Sequence, residues 1–123
     1  MIHADLLEYW TTRATPVAEQ GGDHHRRLEE LFVVFVTVEP GDSAKVSEAA
    51  AAIREVAARV KCGRIFLYPY AHLSEKLAKP KEAVEVLNSL AVELGCDRAP
   101  FGWYKKFHLH AKGHPLAEVS RKL

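Results

Sequence analysis

Cysteine is scarce in this sequence, and its placement excludes common zinc-binding and redox motifs. Only Cys62 and Cys96 occur among the 123 residues, and neither belongs to a CxxC or a Cys/His ligand spacing. We expect two reduced, partly buried thiols of an intracellular protein. Their positions near two predicted helix ends leave a bridge between them open.

The sequence also has no large excess of positive or negative charge and no long apolar run. The formal net charge is +1, which argues against a domain that coats nucleic acid by bulk charge and leaves only a local basic patch open. The longest apolar run, "LFVVFVTV" at residues 31–38, is far too short to cross a bilayer, and no signal peptide is visible. We therefore expect a cytoplasmic protein with no membrane contact.

The familiar catalytic motifs are absent as well. The sequence contains no P-loop, no GxGxxG, no HExxH and no serine or cysteine nucleophile elbow. It also contains no internal repeat. What it does contain is 48% apolar residues in a chain of typical domain length, enough for one packed core.

Apolar patterning predicts the first half of the chain as strands followed by a helix. Residues 1–10 read as a strand, and residues 31–40 as a central strand covered on both faces, because apolar residues occupy both alternations. Residues 11–30 contain proline and paired glycines and indicate a turn-rich connector or a loosely paired hairpin. A helix is predicted over 42–61, capped by Asp42 or Ser43, with a glycine beyond its end.

The second half repeats the strand and helix signals. Residues 64–73, "RIFLYPYAHL", read as a second buried strand interrupted at Pro69. A helix is predicted from about Pro80 to Leu94, with Gly95 ending it. Its apolar stripe is predicted as Val84, Leu87, Ala91 and Leu94.

The last predicted strand lies within residues 101–113. Phe107 and Leu109 alternate there with His108 and His110, so the two pairs are expected on opposite faces. The order of strands and helices indicates an α/β or α+β fold, with two helices on one face of a mixed sheet.

Three side chains stand out as candidates for chemistry. His72 follows a strand end, where ligand sites of layered α/β domains often lie, although a surface histidine flanking a turn is the plainer interpretation. Lys105 sits among aromatic residues that can lower its pKa, but the motif "WYKKF" alone favours solvated lysines on an edge strand. Glu118 can orient a lysine or histidine, or be a solvated residue of a C-terminal turn.

Histidines give two weaker signals. His108, His110 and His114 include an HxH pair that can bind zinc, but no acidic residue at a suitable spacing completes the site. The stretch "DHHRR" at 23–27 is typical of a solvated segment and could also touch a phosphate backbone.

Three blocks together resemble one family. Residues 2–10 "IHADLLEYW", 68–80 "YPYAHLSEKLAKP" and 99–121 "APFGWYKKFHLHAKGHPLAEVSR" are similar, in this order, to the N-terminal editing domain of archaeal threonyl-tRNA synthetases. The strand "FVTVEP" at 35–40 also fits. The resemblance covers essentially the whole chain and implies one editing domain over 1–123, as a fragment or part of a longer synthetase-related chain.

The resemblance also implies a fold and an activity. The fold would be like that of D-aminoacyl-tRNA deacylases, usually a homodimer, and the reaction would be hydrolysis of serine wrongly attached to threonine tRNA. The partners implied are the aminoacylated 3′ end of that tRNA and the rest of a synthetase or a separate synthetase subunit. No cofactor or metal is implied.

Matching motifs carry the family's site onto this sequence residue by residue. The resemblance implies catalytic roles for His72, Tyr104, Lys105 and Glu118, and substrate-binding roles for Val38, Ala71, Phe101 and Trp103. Lys106 is expected to face solvent. Two alternatives stay open: a free-standing D-aminoacyl-tRNA deacylase, and a non-catalytic module that binds the aminoacyl end of tRNA.

Overall fold

Five strands and two helices follow one another along the chain, and the computed structural model describes all residues 1–123. The elements are β1 (Ile2–Ala14), β2 (His25–Val36), α1 (Val46–Arg59), β3 (Ile65–Pro69), α2 (Pro80–Leu94), β4 (Asp97–Arg98) and β5 (Trp103–Ala111). The strands form one mixed sheet in the order β4-β3-β2-β1-β5. This confirms the predicted α/β class and the mixed sheet.

The first two strands form a hairpin that is longer than the sequence suggested. Antiparallel pairing runs from Ile2 opposite Val33 to Trp10 opposite His25. Of the predicted connector, only residues 15–24 lie outside the strands. Gly21 and Gly22 have φ angles of 76° and 84°, a left-handed conformation that glycine adopts without strain, and they help the chain reverse there.

Strand β2 is central and covered on both faces, as predicted. It pairs in parallel with β3 and antiparallel with β1. Alternate side chains of the strand enter different cores: Phe32 and Val34 pack with the helices, whereas Leu31 and Val33 pack on the opposite face. Both helices therefore lie on one side of the sheet, which was also predicted.

The start of the first helix differs from the prediction. Asp42–Lys45 form a 3-10 turn, and α1 begins only at Val46, without a side-chain cap. The Asp42 carboxylate instead accepts a hydrogen bond from the Glu39 N–H at 2.8 Å, and the Ser43 hydroxyl donates to Glu82. The two predicted capping residues thus stabilise the turn before the helix.

The helix ends also refine the prediction. Lys61, at φ 56°, takes the left-handed position after α1 that the sequence had suggested for a glycine. Helix α2 spans the predicted Pro80–Leu94, with Pro80 in its first turn and Gly95 at φ 63°. The buried stripe of α2 is shifted by about one residue from the prediction and consists of Ala83, Val86, Leu87 and Leu90.

The sheet curls strongly on the side away from the helices. Phe107 of β5 lies with its ring centroid 5.5 Å from that of Tyr68 on β3, although β1 and β2 separate the two strands in the sheet. Register shifts between Ala4 and Leu6, and between Thr11 and Arg13, mark irregularities where β1 bends against β5. The face inside the curl, here called the inner face, forms a second core.

Three further features complete the fold. The two-residue strand β4 was not predicted, because it is too short to carry a periodic signal. Both cysteines are free and half-buried. Neither helix has the length and apolar character that crossing a membrane requires.

Candidate functional site

Four aromatic rings line the inner face and connect the predicted site residues. Phe35 lies 5.3 Å from Tyr70 and 6.0 Å from Phe107, measured between ring centroids, and Tyr68 lies 5.5 Å from Phe107. We call Phe35, Tyr68, Tyr70 and Phe107 the aromatic wall. Such contacts at 4.5–7 Å are favourable beyond simple area burial, so the aromatic wall is a rigid surface.

Lys105 stands at one end of the aromatic wall. Its Nζ lies 5.2 Å from the centroid of the Tyr68 ring and donates to the Trp103 carbonyl at 3.3 Å. Burial lowers the pKa of this amine to about 8, against a partial opposing effect of Glu19. The aromatic neighbours therefore do shield this lysine, and the solvated interpretation of Lys105 is wrong.

The neighbouring Lys106 differs in its exposure and in the face of the sheet that it occupies. It is exposed, as expected, and its Nζ lies 5.1 Å from the centroid of the Trp10 ring. Both side chains lie on the face of the sheet opposite the inner face, here called the outer face. Adjacent strand residues point to opposite faces. Lys106 is therefore a natural internal control for Lys105.

His72 stands at the other end of the aromatic wall. It lies in a 3-10 turn, Ala71–Leu73, directly after β3 has ended, and its ring centroid is 5.0 Å from that of Tyr70. Tyr70 is held by its N–H, which donates to the Val36 carbonyl at 2.8 Å, and by its carbonyl, which accepts from the Thr37 hydroxyl. Ala71 and His72 are exposed, so both are accessible to a ligand.

Glu118 and Val38 line a cavity beside the aromatic wall. The cavity has a volume of about 840 Å³, and Tyr70 and Phe107 contribute to its lining too. The backbone of Glu118 bridges Ile2 at the start of β1, and its side chain is exposed. Glu118 thus belongs to a segment attached to the start of β1.

The remaining predicted residues, Phe101, Trp103 and Tyr104, lie just before Lys105 along the chain. Phe101 packs on the small cluster that contains Val38, and the Trp103 indole N–H donates to the Glu19 carbonyl at 3.0 Å. Tyr104 lies on the face opposite Lys105, is 61% exposed, and accepts a hydrogen bond from the Thr12 hydroxyl at its carbonyl. The structure thus separates the side chain of Tyr104 from that of Lys105.

The predicted residues form one region but not one contact network. The aromatic wall joins His72 to Lys105, and the cavity joins Val38 to Glu118. Glu19, which hydrogen-bonds to the Phe101–Trp103 segment, and its ion-pair partner Arg98 were missed. They lie in or beside segments without periodic signal, so no motif could have identified them.

The histidine cluster does not assemble as a metal site. No group of three or more His, Cys, Asp or Glu side chains has a geometry that could hold a metal ion. His114 instead hydrogen-bonds to His3, with ring nitrogens 2.8 Å apart. His110 lies 3.7 Å from Asp5.

Comparison with known proteins identifies the family. The whole chain, residues 1–123, matches the Archaea-specific editing domain of threonyl-tRNA synthetase. The chain belongs to this family. It is also 47% identical to the threonine–tRNA ligase of Methanosarcina mazei over 133 aligned positions, which cover 100% of the chain and 21% of that protein.

Relatives from other archaeal groups give the same result. The threonine–tRNA ligase of Thermococcus gammatolerans is 47% identical over 135 positions, with 100% of the chain and 22% of the ligase covered. That of Thermofilum pendens is 45% identical, with the same coverage. The chain spans about a fifth of the length of these relatives, and membership of an editing-domain family supports a proofreading role for it.

Proposed function

We propose that this editing domain hydrolyses the ester bond between serine and the tRNA for threonine. The observation that carries the proposal is the match to the editing-domain family along the entire chain. The shielded amine of Lys105, at one end of an accessible aromatic wall, supports it by offering a cation at the inner face.

The need for such a reaction follows from binding energetics. Serine is threonine without one methyl group, and a missing methyl changes binding in a pocket by only about 1–3 kcal/mol. The hydroxyl is common to both amino acids, so an aminoacylation site cannot reject serine well. A second site that admits serine and excludes the additional methyl by contact with rigid groups solves the problem.

We carry the roles of the site residues over from the family resemblance. Lys105, in its ammonium form, donates to an oxygen of the aminoacyl ester, where negative charge develops. His72 contacts the terminal ribose or the aminoacyl group from the rim, and Glu118 completes the polar set from the cavity side. Phe101 and Ala71 receive the terminal adenosine, and backbone groups near Val38 contact the seryl moiety.

We assign the activation of water to the tRNA itself, a mechanism that needs no serine or cysteine nucleophile from the protein. The neighbouring ribose hydroxyl assists a water molecule that attacks the ester carbonyl carbon. The bond from that carbon to the ribose oxygen then breaks, and the ribose oxygen takes up a proton. The products are free serine and tRNA, with no acyl-enzyme intermediate.

The partners follow from the same proposal. The domain receives the aminoacylated 3′ end of threonine tRNA, and it acts either within a longer synthetase or beside a separate synthetase subunit. We further propose that it works as a homodimer. With a net charge of +1, the domain alone should bind tRNA weakly.

Deacylation of Ser-tRNA and Thr-tRNA, both made on the threonine tRNA, tests the proposal directly. The purified domain is expected to release serine much faster than threonine. Release of both at the uncatalysed rate, with tRNA still bound, would identify a binding module instead. A D-aminoacyl-tRNA measured in parallel distinguishes the other alternative, because faster release of the D-amino acid than of L-serine contradicts the proposal.

A further inference from the structure

One ion pair, between Arg98 and Glu19, is well shielded from solvent on both sides. Their side chains are 14% and 23% exposed. Arg98 donates to both carboxylate oxygens of Glu19, at 2.9 Å from Nη2 to Oε2 and by a second contact from Nη1. The same guanidinium donates to Asn88 of α2 at 2.8 Å and 3.1 Å. A bidentate pair with this much support has a fixed geometry.

Glu19 also holds two residues of the candidate site. Its carboxylate accepts a hydrogen bond from the Phe101 N–H at 2.5 Å, and its own N–H donates to the Phe101 carbonyl at 3.0 Å. Its carbonyl accepts from the Trp103 indole at 3.0 Å. A single residue of the hairpin connector therefore fixes the backbone and one side chain of the segment that leads to Lys105.

The backbones of the two segments are in close contact at Gly102. A Cβ placed on Gly102 would lie 2.6 Å from the Ala18 Cα, too close for any side chain. Thr15 adds two hydrogen bonds to the Gly102 carbonyl, at 2.6 Å from its hydroxyl and 3.0 Å from its N–H. The connector is thus seated firmly on the start of β5.

Few charges surround Lys105. Glu19 raises and Arg98 lowers the pKa of its amine, while burial lowers it most. The phenols facing this region, Tyr68 and Tyr9, are neutral because burial raises the pKa of each. His24 packs on Trp103, with ring centroids 4.7 Å apart.

We propose that Glu19 is a positioning residue of the editing site. It holds Phe101 and Trp103 in place, and its carboxylate supplies a negative charge to the segment that leads to Lys105. Its importance for catalysis rests on the function proposed above, whereas its effect on Lys105 can be measured without any tRNA.

The test is an NMR titration of the Lys105 side chain in variants of the domain. Glu19→Gln keeps the shape and removes the charge, so the titration midpoint is expected to fall by about 0.5–1 pH unit. Arg98→Met is expected to raise the midpoint. Glu8→Gln is the matched control, since Glu8 pairs with His25 on the outer face at 2.7 Å, and it should leave the midpoint unchanged.

The direction in which the Lys105 titration midpoint moves distinguishes an electrostatic role of Glu19 from a purely structural one. If Glu19 only braced the connector, Glu19→Gln would let water reach Lys105 and raise the midpoint, and that result overturns the proposal, as does an unchanged midpoint. Glu19→Asp keeps the charge, but its shorter side chain moves the carboxylate away from the Phe101 N–H. It is expected to shift the Phe101 amide resonance with little change at Lys105, and it replaces Glu19→Gln if that variant does not fold.

Activity gives an independent comparison. In Glu19→Gln, the pH dependence of Ser-tRNA deacylation should move to lower pH together with the Lys105 midpoint. A midpoint that falls while the pH profile stays in place overturns the role of Glu19 in the reaction. Absence of deacylation in the unsubstituted domain would instead refute the proposed function and leave the titration result intact.

Discussion

The two faces of the sheet differ in what they bury and what they expose. The face under the helices is closed by apolar side chains that are aliphatic apart from one phenylalanine, with Phe32, Ile53 and Leu67 at most 5% exposed. The inner face is built of aromatic rings and carries Lys105 and His72 at its ends. Alternate residues of the same strands serve both faces, so one sheet has a helix-covered core on one side and a second core with an accessible aromatic rim on the other.

The largest expected effect tests whether the inner face itself activates water. A Ser-tRNA that lacks the ribose hydroxyl next to the ester should be nearly inert, because the proposed mechanism assigns the activation of water to that hydroxyl. The measurement is the release of serine from the 2′-deoxy and the normal tRNA end at saturating domain. Equal rates from the two substrates would mean that a protein side chain activates the water.

The next effect compares adjacent lysines on opposite faces. Lys105→Met is expected to slow serine release by about 100–1000-fold, since losing one donor to a developing negative charge typically costs that much. Lys106→Met, on the outer face, should retain nearly full activity. The comparison requires single-turnover rates for both variants, and a similar loss in each would remove the distinction between the faces.

A third effect compares stability across the two faces. Leu67→Ala on the helix-covered face should lower the free energy of unfolding by about 2–5 kcal/mol, because it opens a cavity at a fully buried position. His72→Ala, at an exposed position of the site, should change it by less than about 0.5 kcal/mol. Urea unfolding measures both, and a large loss in His72→Ala would assign His72 to the core.

The smallest expected effect concerns the free energy of folding that is lost by burying the charged Lys105 amine. The pKa of the Lys105 amine is about 8 in the folded chain, against an ordinary value of 10.5. Between these pH values the unfolded chain therefore binds more protons than the folded chain. The free energy of unfolding should consequently rise with pH across that window. At pH 7 the charged amine destabilises the fold, so Lys105→Met should be more stable by about 1 kcal/mol after allowance for partial exposure.

The comparison variant makes this fourth prediction specific. Lys106→Met should show no gain in stability at pH 7, and the stability difference between Lys105→Met and the unsubstituted chain should vanish near pH 10.5. Thermal unfolding at several pH values measures it. A constant difference from pH 7 to pH 11 would mean that hydrophobic contact of methionine, and not the removed charge, is responsible.

The sequence predicts the strongly periodic elements well and their ends less well. Helix Pro80–Leu94 carries a proline, an apolar stripe and a terminal glycine, and it was predicted within a residue. The left-handed residue after α1 was missed, because Lys61 takes a conformation in which glycine is favoured. The pairing of residues 11–14 and 25–30 was uncertain, since polar strands give little periodic signal.

The curl of the sheet could not be predicted, and the site depends on it. Tyr68 and Phe107 approach because β1 bends at its irregularities, and contact between strands three places apart in the sheet leaves no local pattern. The resemblance named Lys105 and His72 but not the aromatic wall between them. Glu19 was hidden for the same reason: its partners lie far away along the chain.

Gly102 has a consequence for protein engineering. With φ at 83° and the Ala18 backbone against it, this position accepts no other residue without displacing the connector. A library that varies the candidate site should therefore diversify Phe101 and the rim around His72 and leave 102 and 18 small. Natural domains of this kind should show the same restriction when many are aligned.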